Sequence, residues 1–147
     1  MKHVLKKIEI QNFKSFGGKK TTIRLDDHQG LTLIMGKNID NEDEDSRNGC
    51  GKSTIFQALC FVMTGKTIKP VKSMAELVNV INEKKALVSL EGTLGDYDYR
   101  IERGLKPGVC RFYKKPSSED GDITDSKYDL TRDSIKNTSD DITTFFR

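Results

Sequence analysis

The hexapeptide Gly49-Cys50-Gly51-Lys52-Ser53-Thr54 constrains this 147-residue chain more than any other feature. Before it, residues 31–35 (LTLIM) form a nearly continuous apolar run, the pattern of a strand buried on both faces. After it, Ile55, Ala58, Leu59 and Val62 recur at the spacing of one helix face. Strand, glycine-rich loop and helix in that order form the setting of a phosphate-binding loop. Glycines let backbone N–H groups converge on phosphate oxygens where a Cβ would intrude. The helix N-terminus adds orphan donors and the positive end of its dipole. In such a loop Lys52 reaches the β- and γ-phosphates, Ser53 offers its hydroxyl to Mg²⁺, and Thr54 contacts the α-phosphate.

The spacing leaves two alignments open. The standard loop, G-x-x-x-x-G-K-S/T, puts its first glycine at position 46, which is Ser46. A glycine does follow the apolar run, at Gly36. Either Ser46 replaces the first glycine, or residues 39–48 are inserted between Asn38 and Gly49 of a G-x-N-G-x-G-K loop. The loop asparagine is then Asn48 or Asn38. Residues 39–48 hold five acids against one base, leaving +7 on the rest of a chain whose net charge is +3. Five carboxylates against a triphosphate would repel it, so this stretch is expected to point into solvent and to be mobile.

Elsewhere the chain reads mostly as strands. Residues 4–16 and 21–25 alternate apolar and polar, with Gly17-Gly18 between them. Residues 86–94 and 97–101 form a hairpin about Gly95-Asp96, and 109–113 a further strand behind Pro107-Gly108. Tyr97, Tyr99 and Ile101 read as packing residues. Phe56, Cys60 and Met63 make a second apolar stripe on the first helix, which predicts cover on most of its sides. Gly65 and Pro70 end that helix. Residues 73–80 suggest a short helix, 114–126 a surface loop, and 132–146 a helix with Thr131 as N-cap. The expectation is an α/β fold with a mixed sheet and antiparallel hairpins. Its parts are a phosphate-loop core over 1–70, a hairpin part over 71–114, a loop over 115–130 and a C-terminal helix over 131–147.

Composition removes several classes. No apolar run approaches the roughly 18 residues of a membrane span, and the start, MKHVLKKIEI, intersperses charge. Cys50, Cys60 and Cys110 lie far apart, without the paired spacing of a zinc site or a disulfide framework, which fits a reducing, intracellular setting. With no Trp and 7% aromatic residues, the chain is not a base-stacking module.

The order IEIQNFKSF, TTIRL, LTLIMGKN, GCGKSTIFQALCFVMTGK, ALVSLEGTLGDYDYRIERG resembles the N-terminal half of an SMC-like DNA-repair ATPase head. The likeness is to SbcC and to the phage recombination-endonuclease subunit. It implies a P-loop lobe of the ABC-ATPase-head type that binds ATP with Mg²⁺ and serves double-strand-break repair, recombination and DNA-end processing. Implied partners are the C-terminal half of the same head, a second head, an SbcD-like nuclease subunit and DNA, in the cytoplasm of a bacterial or phage-infected cell. Carried onto this sequence, Lys14 and Ser15 of NFKSF lie beside the phosphates, and Lys66 and Lys69 where the family contacts DNA. DLTRDSIKNTSDDI resembles the segment leading to the Q-loop.

A Walker B run of about four apolar residues ending in Asp is not found, nor an LSGG-like signature or heptad coiled coil. The expectation is therefore one lobe of a head, which hydrolyses ATP only when completed. Two rivals stay open: a truncated head that binds or inhibits a full ATPase, and a small P-loop kinase using Arg103, Lys106 and Arg111 as a basic lid.

Overall fold

The computed structural model describes residues 1–27, 30–37 and 51–147. Its centre is a five-stranded sheet of β1 (His3–Gln11), β2 (Thr21–Arg24), β3 (Ala86–Leu94), β4 (Tyr97–Leu105) and β5 (Val109–Pro116), in the order β2-β1-β3-β4-β5. All four pairings are antiparallel. The expected mixed sheet is thus represented, among the described residues, by antiparallel pairs alone. The β3–β4 hairpin runs four residues further than its alternation alone indicated, to Leu105, because Arg103↔Val88 and Leu105↔Ala86 continue the ladder. Its turn uses Gly95 at φ 59, a left-handed angle that glycine adopts without a Cβ penalty.

Register makes one face apolar. Ile8, Leu90, Ile101 and Phe112 line up across four strands, and all are buried. Against this face pack α1 (Lys52–Thr64), through Ala58, Phe61 and Val62, and α2 (Ile135–Phe145), through Ile142 and Phe145. Phe61 meets Phe13 at 5.5 Å between ring centroids, and Tyr99 meets Phe145 and Phe146 edge-on at 5.6 and 5.2 Å. The opposite face is ionic. Arg100 hydrogen-bonds Glu9, Glu91 and Glu102, and Arg111 reaches Glu102 at 3.1 Å.

Four expectations need correction. Residues 31–35 form no strand and are exposed, Leu31 completely and Leu33 at 79%. Apolar content signals a need for cover, but a strand also needs a ladder neighbour, and the five strands of this sheet pair with one another. The second stripe of α1 is uncovered at Phe56, 53% exposed, because only one side of the helix meets the sheet. The helix over 73–80 is a single 3-10 turn, Met74–Leu77, capped by the Ser73 hydroxyl accepting from the Ala75 N–H. The cap of α2 is Ser134, which accepts from the Asn137 N–H; the Thr131 hydroxyl instead accepts from the Phe112 N–H.

Candidate nucleotide-binding site

Helix α1 begins at Lys52, directly after Gly51. Gly51 has φ 78, and a Cβ there would lie 3.0 Å from Ser15 Oγ and 3.7 Å from the Phe16 ring. The left-handed backbone favours glycine here, and a Cβ would also press on the Ser15 hydroxyl. The Gly51 cap makes no side-chain hydrogen bond and the first turn carries no acid, so the positive end of the helix dipole meets no carboxylate of its own helix. Gly65 closes the far end at φ 71, donating its N–H to Phe61 O.

Thr54 is buried, and its hydroxyl lies 3.2 Å from that of Ser15. Ser53, one residue earlier, is exposed, with a hydroxyl of the oxygen type that Mg²⁺ takes. Lys14 is half-buried, in a left-handed conformation at φ 48. The structure therefore brings Lys14, Ser15, Gly51 and Thr54 to one edge of the lobe, where β1 leaves the sheet and α1 starts. Gly36 is half-buried in the irregular segment 30–37. Asn38, Asn48, Gly49, Cys50 and the acidic stretch 39–48 lie outside the described residues, and with them the choice between Ser46 and Gly36.

The basic residues considered for a lid do not assemble as one. Arg103 is buried at 4% exposure, its Nε donating to Val62 O at 2.8 Å and its Nη1 to Ser139 Oγ at 2.7 Å. Burial lowers its pKa from the ordinary value, partly offset by Cys110 beside it. Arg111 is tied to Glu102 on the ionic face, and Lys106 sits in the turn before Pro107. Lys66 and Lys69 are exposed just beyond α1. Cys60 and Cys110 are free thiols, and among the described residues no cluster of His, Cys, Asp or Glu has the makings of a metal site.

One participant escaped the sequence reading. Asn79 is 5% exposed and bonds to the 12–16 loop through both main chain and side chain. Nothing in an Asn set among Leu77, Val78, Val80 and Ile81 announces a partner 65 residues earlier.

A helix capped by Gly51 and opening on Lys52-Ser53-Thr54, seated on an antiparallel sheet and flanked by a serine loop, has the architecture of a P-loop ATPase head. Residues 7–146 match the family described as AAA domain, and the chain belongs to that family. It is 38% identical over 105 residues to Exonuclease subunit 2 of Escherichia phage RB69, and 37% over 105 residues to that of Enterobacteria phage T4, each match covering 71% of this chain. It is 43% identical over 76 residues, half of this chain and 5% of the relative, to the chromosome partition protein Smc of Halobacteriovorax marinus. The Smc head domain of Pyrococcus furiosus superposes with a TM-score of 0.60 at 25% identity, over 97% of this chain and 33% of that one. The recombination mediator protein RecF with ATP shares the fold, with a TM-score of 0.50 at 22% identity over 84% of this chain and 29% of that one. The fold and these likenesses make the chain part of an SMC-like ATPase head. It spans 16% and 17% of the length of the two phage relatives.

Proposed function

We propose that this chain is the ATP-binding N-terminal lobe of an SbcC-like ATPase head acting in DNA recombination, double-strand-break repair and DNA-end processing. The observation that carries the reading is the start of α1: Gly51 in the left-handed region, Lys52-Ser53-Thr54 in the first turn, and Ser15 hydrogen-bonded to Thr54. Backbone N–H groups and the helix dipole bind phosphate oxygens, Lys52 adds a point charge, and Lys14 approaches from the neighbouring loop. Ser53 supplies the protein oxygen for Mg²⁺, which takes its remaining ligands from phosphate and water.

Hydrolysis needs a second carboxylate for the metal and a positioned water. We assign those to a C-terminal half of the head. The exposed apolar segment 31–35, with Leu31, Leu33 and Met35 in solvent, supports that reading, because it is a surface that seeks a partner strand. A second head, an SbcD-like nuclease subunit and DNA are the further partners proposed, DNA meeting the exposed Lys66 and Lys69.

The test is calorimetric titration of the full chain with Mg·ATP, against Lys52→Ala. Lys52 is half-buried at the start of α1, so the variant should keep its melting temperature within a few degrees while affinity falls at least tenfold, about 1.4 kcal/mol. Equal affinity of the two proteins overturns the phosphate-loop assignment. Phosphate release should stay at the buffer rate until a C-terminal half is supplied.

A further inference from the structure

We infer that Asn79 is a positioning residue of the nucleotide site, acting through the loop at 12–16; this rests on the nucleotide-binding reading above.

The loop that carries Lys14 and Ser15 is strained at Lys14. Asn12 and Lys14 both adopt left-handed angles, φ 50 and 48; asparagine enters that region readily, whereas a lysine there has to be held by its surroundings. The loop holds itself in part: the Asn12 N–H donates to Gly17 O at 2.8 Å and the Phe16 N–H to Phe13 O at 2.9 Å. Phe13 anchors it to α1 by burial against Phe61.

The rest of the restraint comes from residues 77–82. The Lys14 N–H donates to Leu77 O, and the Asn79 N–H to Asn12 O, each at 2.8 Å. Asn79 Nδ2 donates to Lys14 O at 2.7 Å. The same side chain accepts, at Oδ1, from the N–H groups of Ile81 and Asn82 at 3.1 Å. Asn82 Nδ2 then donates to Asn12 Oδ1 at 2.7 Å. Both left-handed residues are thus gripped from the same short segment, and Asn79 touches each of them.

The consequence falls on Ser15, which follows Lys14 directly. Its hydroxyl meets Thr54 at 3.2 Å and lies 3.0 Å from where a Gly51 Cβ would be. Asn79 itself lies behind Lys14, on the carbonyl side, and its effect on a phosphate is exerted through Lys14 and Ser15. An amide is the group for this work. It donates to one carbonyl and accepts from two N–H groups at once, whereas a carboxylate can do only the second.

Asn79→Asp separates these roles. It keeps the turn at 79–82 and sets an oxygen against Lys14 O. Mg·ATP titration on the full chain should show about a tenfold loss of affinity, accompanied by a lowered melting temperature, because a nearly buried carboxylate is set against a carbonyl oxygen. In a Lys14→Ala/Ser15→Ala background the same substitution should cost less than twofold, because the route is already cut. A merely structural role would leave the two costs additive. Wild-type affinity for Asn79→Asp, or an undiminished cost in the double background, overturns the inference. Should Asn79→Asp unfold, Asn82→Ala, which releases only the Asn12 side chain, carries the test with an expected threefold loss; wild-type affinity there overturns the inference as well. Lys52→Ala serves as the reference. If it too binds like wild type, the nucleotide reading falls; if it loses binding while the Asn79 and Asn82 variants do not, only the role of Asn79 falls.

Discussion

The two faces of the sheet are built on the same four strands and the same register, yet they are held by different forces. On one, Ile8, Leu90, Ile101 and Phe112 form a row sealed by two helices. On the other, one residue along each strand, Lys7, Glu91, Arg100 and Tyr113 form a row laced by ion pairs. A period of two lets one chain write both. The apolar row depends on volume and tolerates no vacancy. The ionic row depends on charge balance and answers to pH. Arg103 breaks the pattern, being a cation in the apolar layer, and it does so where the last turn of α1 presents the Val62 carbonyl.

The comparison breaks hardest at the apolar row. Ile101→Ala removes a fully buried side chain from the middle of the sheet and should cost about 2–5 kcal/mol, read from denaturant unfolding. A cost below about 1 kcal/mol would mean that the helices are not seated on this face. Arg103→Met sharpens the exception. It conserves much of the volume but leaves Val62 O without its donor, so about 2 kcal/mol should be lost. A variant as stable as wild type would show that the guanidinium costs as much to bury as its hydrogen bonds return.

The smallest effect belongs to the ionic face, at Glu9, which pairs with Ser89 in the row beside Lys7 and Glu91. Burial would raise the Glu9 pKa, but hydrogen bonds from Ser89 and Arg100 and the charges of Lys7 and Arg100 outweigh it, holding the carboxyl below its ordinary 4.5. A carboxyl depressed in the folded state stabilises it above the unfolded pKa and loses that contribution as pH falls toward the folded one. Stability should therefore decline below about pH 4.5, and Glu9→Gln should flatten that part of the decline while costing under about 1 kcal/mol at pH 7. An unchanged acid limb in the variant would assign the decline to other carboxylates, such as Asp98, which Lys6, Thr93 and Ser117 likewise hold low against the effect of burial.

Sequence made visible what depends on local pattern. The β3–β4 hairpin was readable because alternation and a Gly-Asp turn specify it without reference to the rest of the molecule. The start of α1 was readable because its glycine and GKST have a chemical purpose that few other arrangements share. Residues 31–35 misled because an apolar run states that cover is needed and not what provides it. Asn79 was invisible, and Arg103 was legible only as a lid candidate, for the converse reason. Each is a polar residue whose partners are far along the chain, and its value lies in satisfying groups that only the folded backbone brings near.

The strand order has a consequence for how this lobe comes into being. Strand β1 is synthesised before the other four strands, but its neighbour β3 pairs with it from 80 residues away, as the Glu9–Ser89 contact shows. Between the two lies α1, whose buried face rests on both β3 and β4. During synthesis the phosphate-loop helix therefore exists for a time without a floor, its Phe61 and Val62 exposed until the second hairpin arrives. Pairing at such separation is intrinsically slow, because the entropy of closing the long loop is spent before any contact returns it. In the nascent chain the buried face of α1 is therefore an apolar surface open to unwanted company until β3 and β4 cover it.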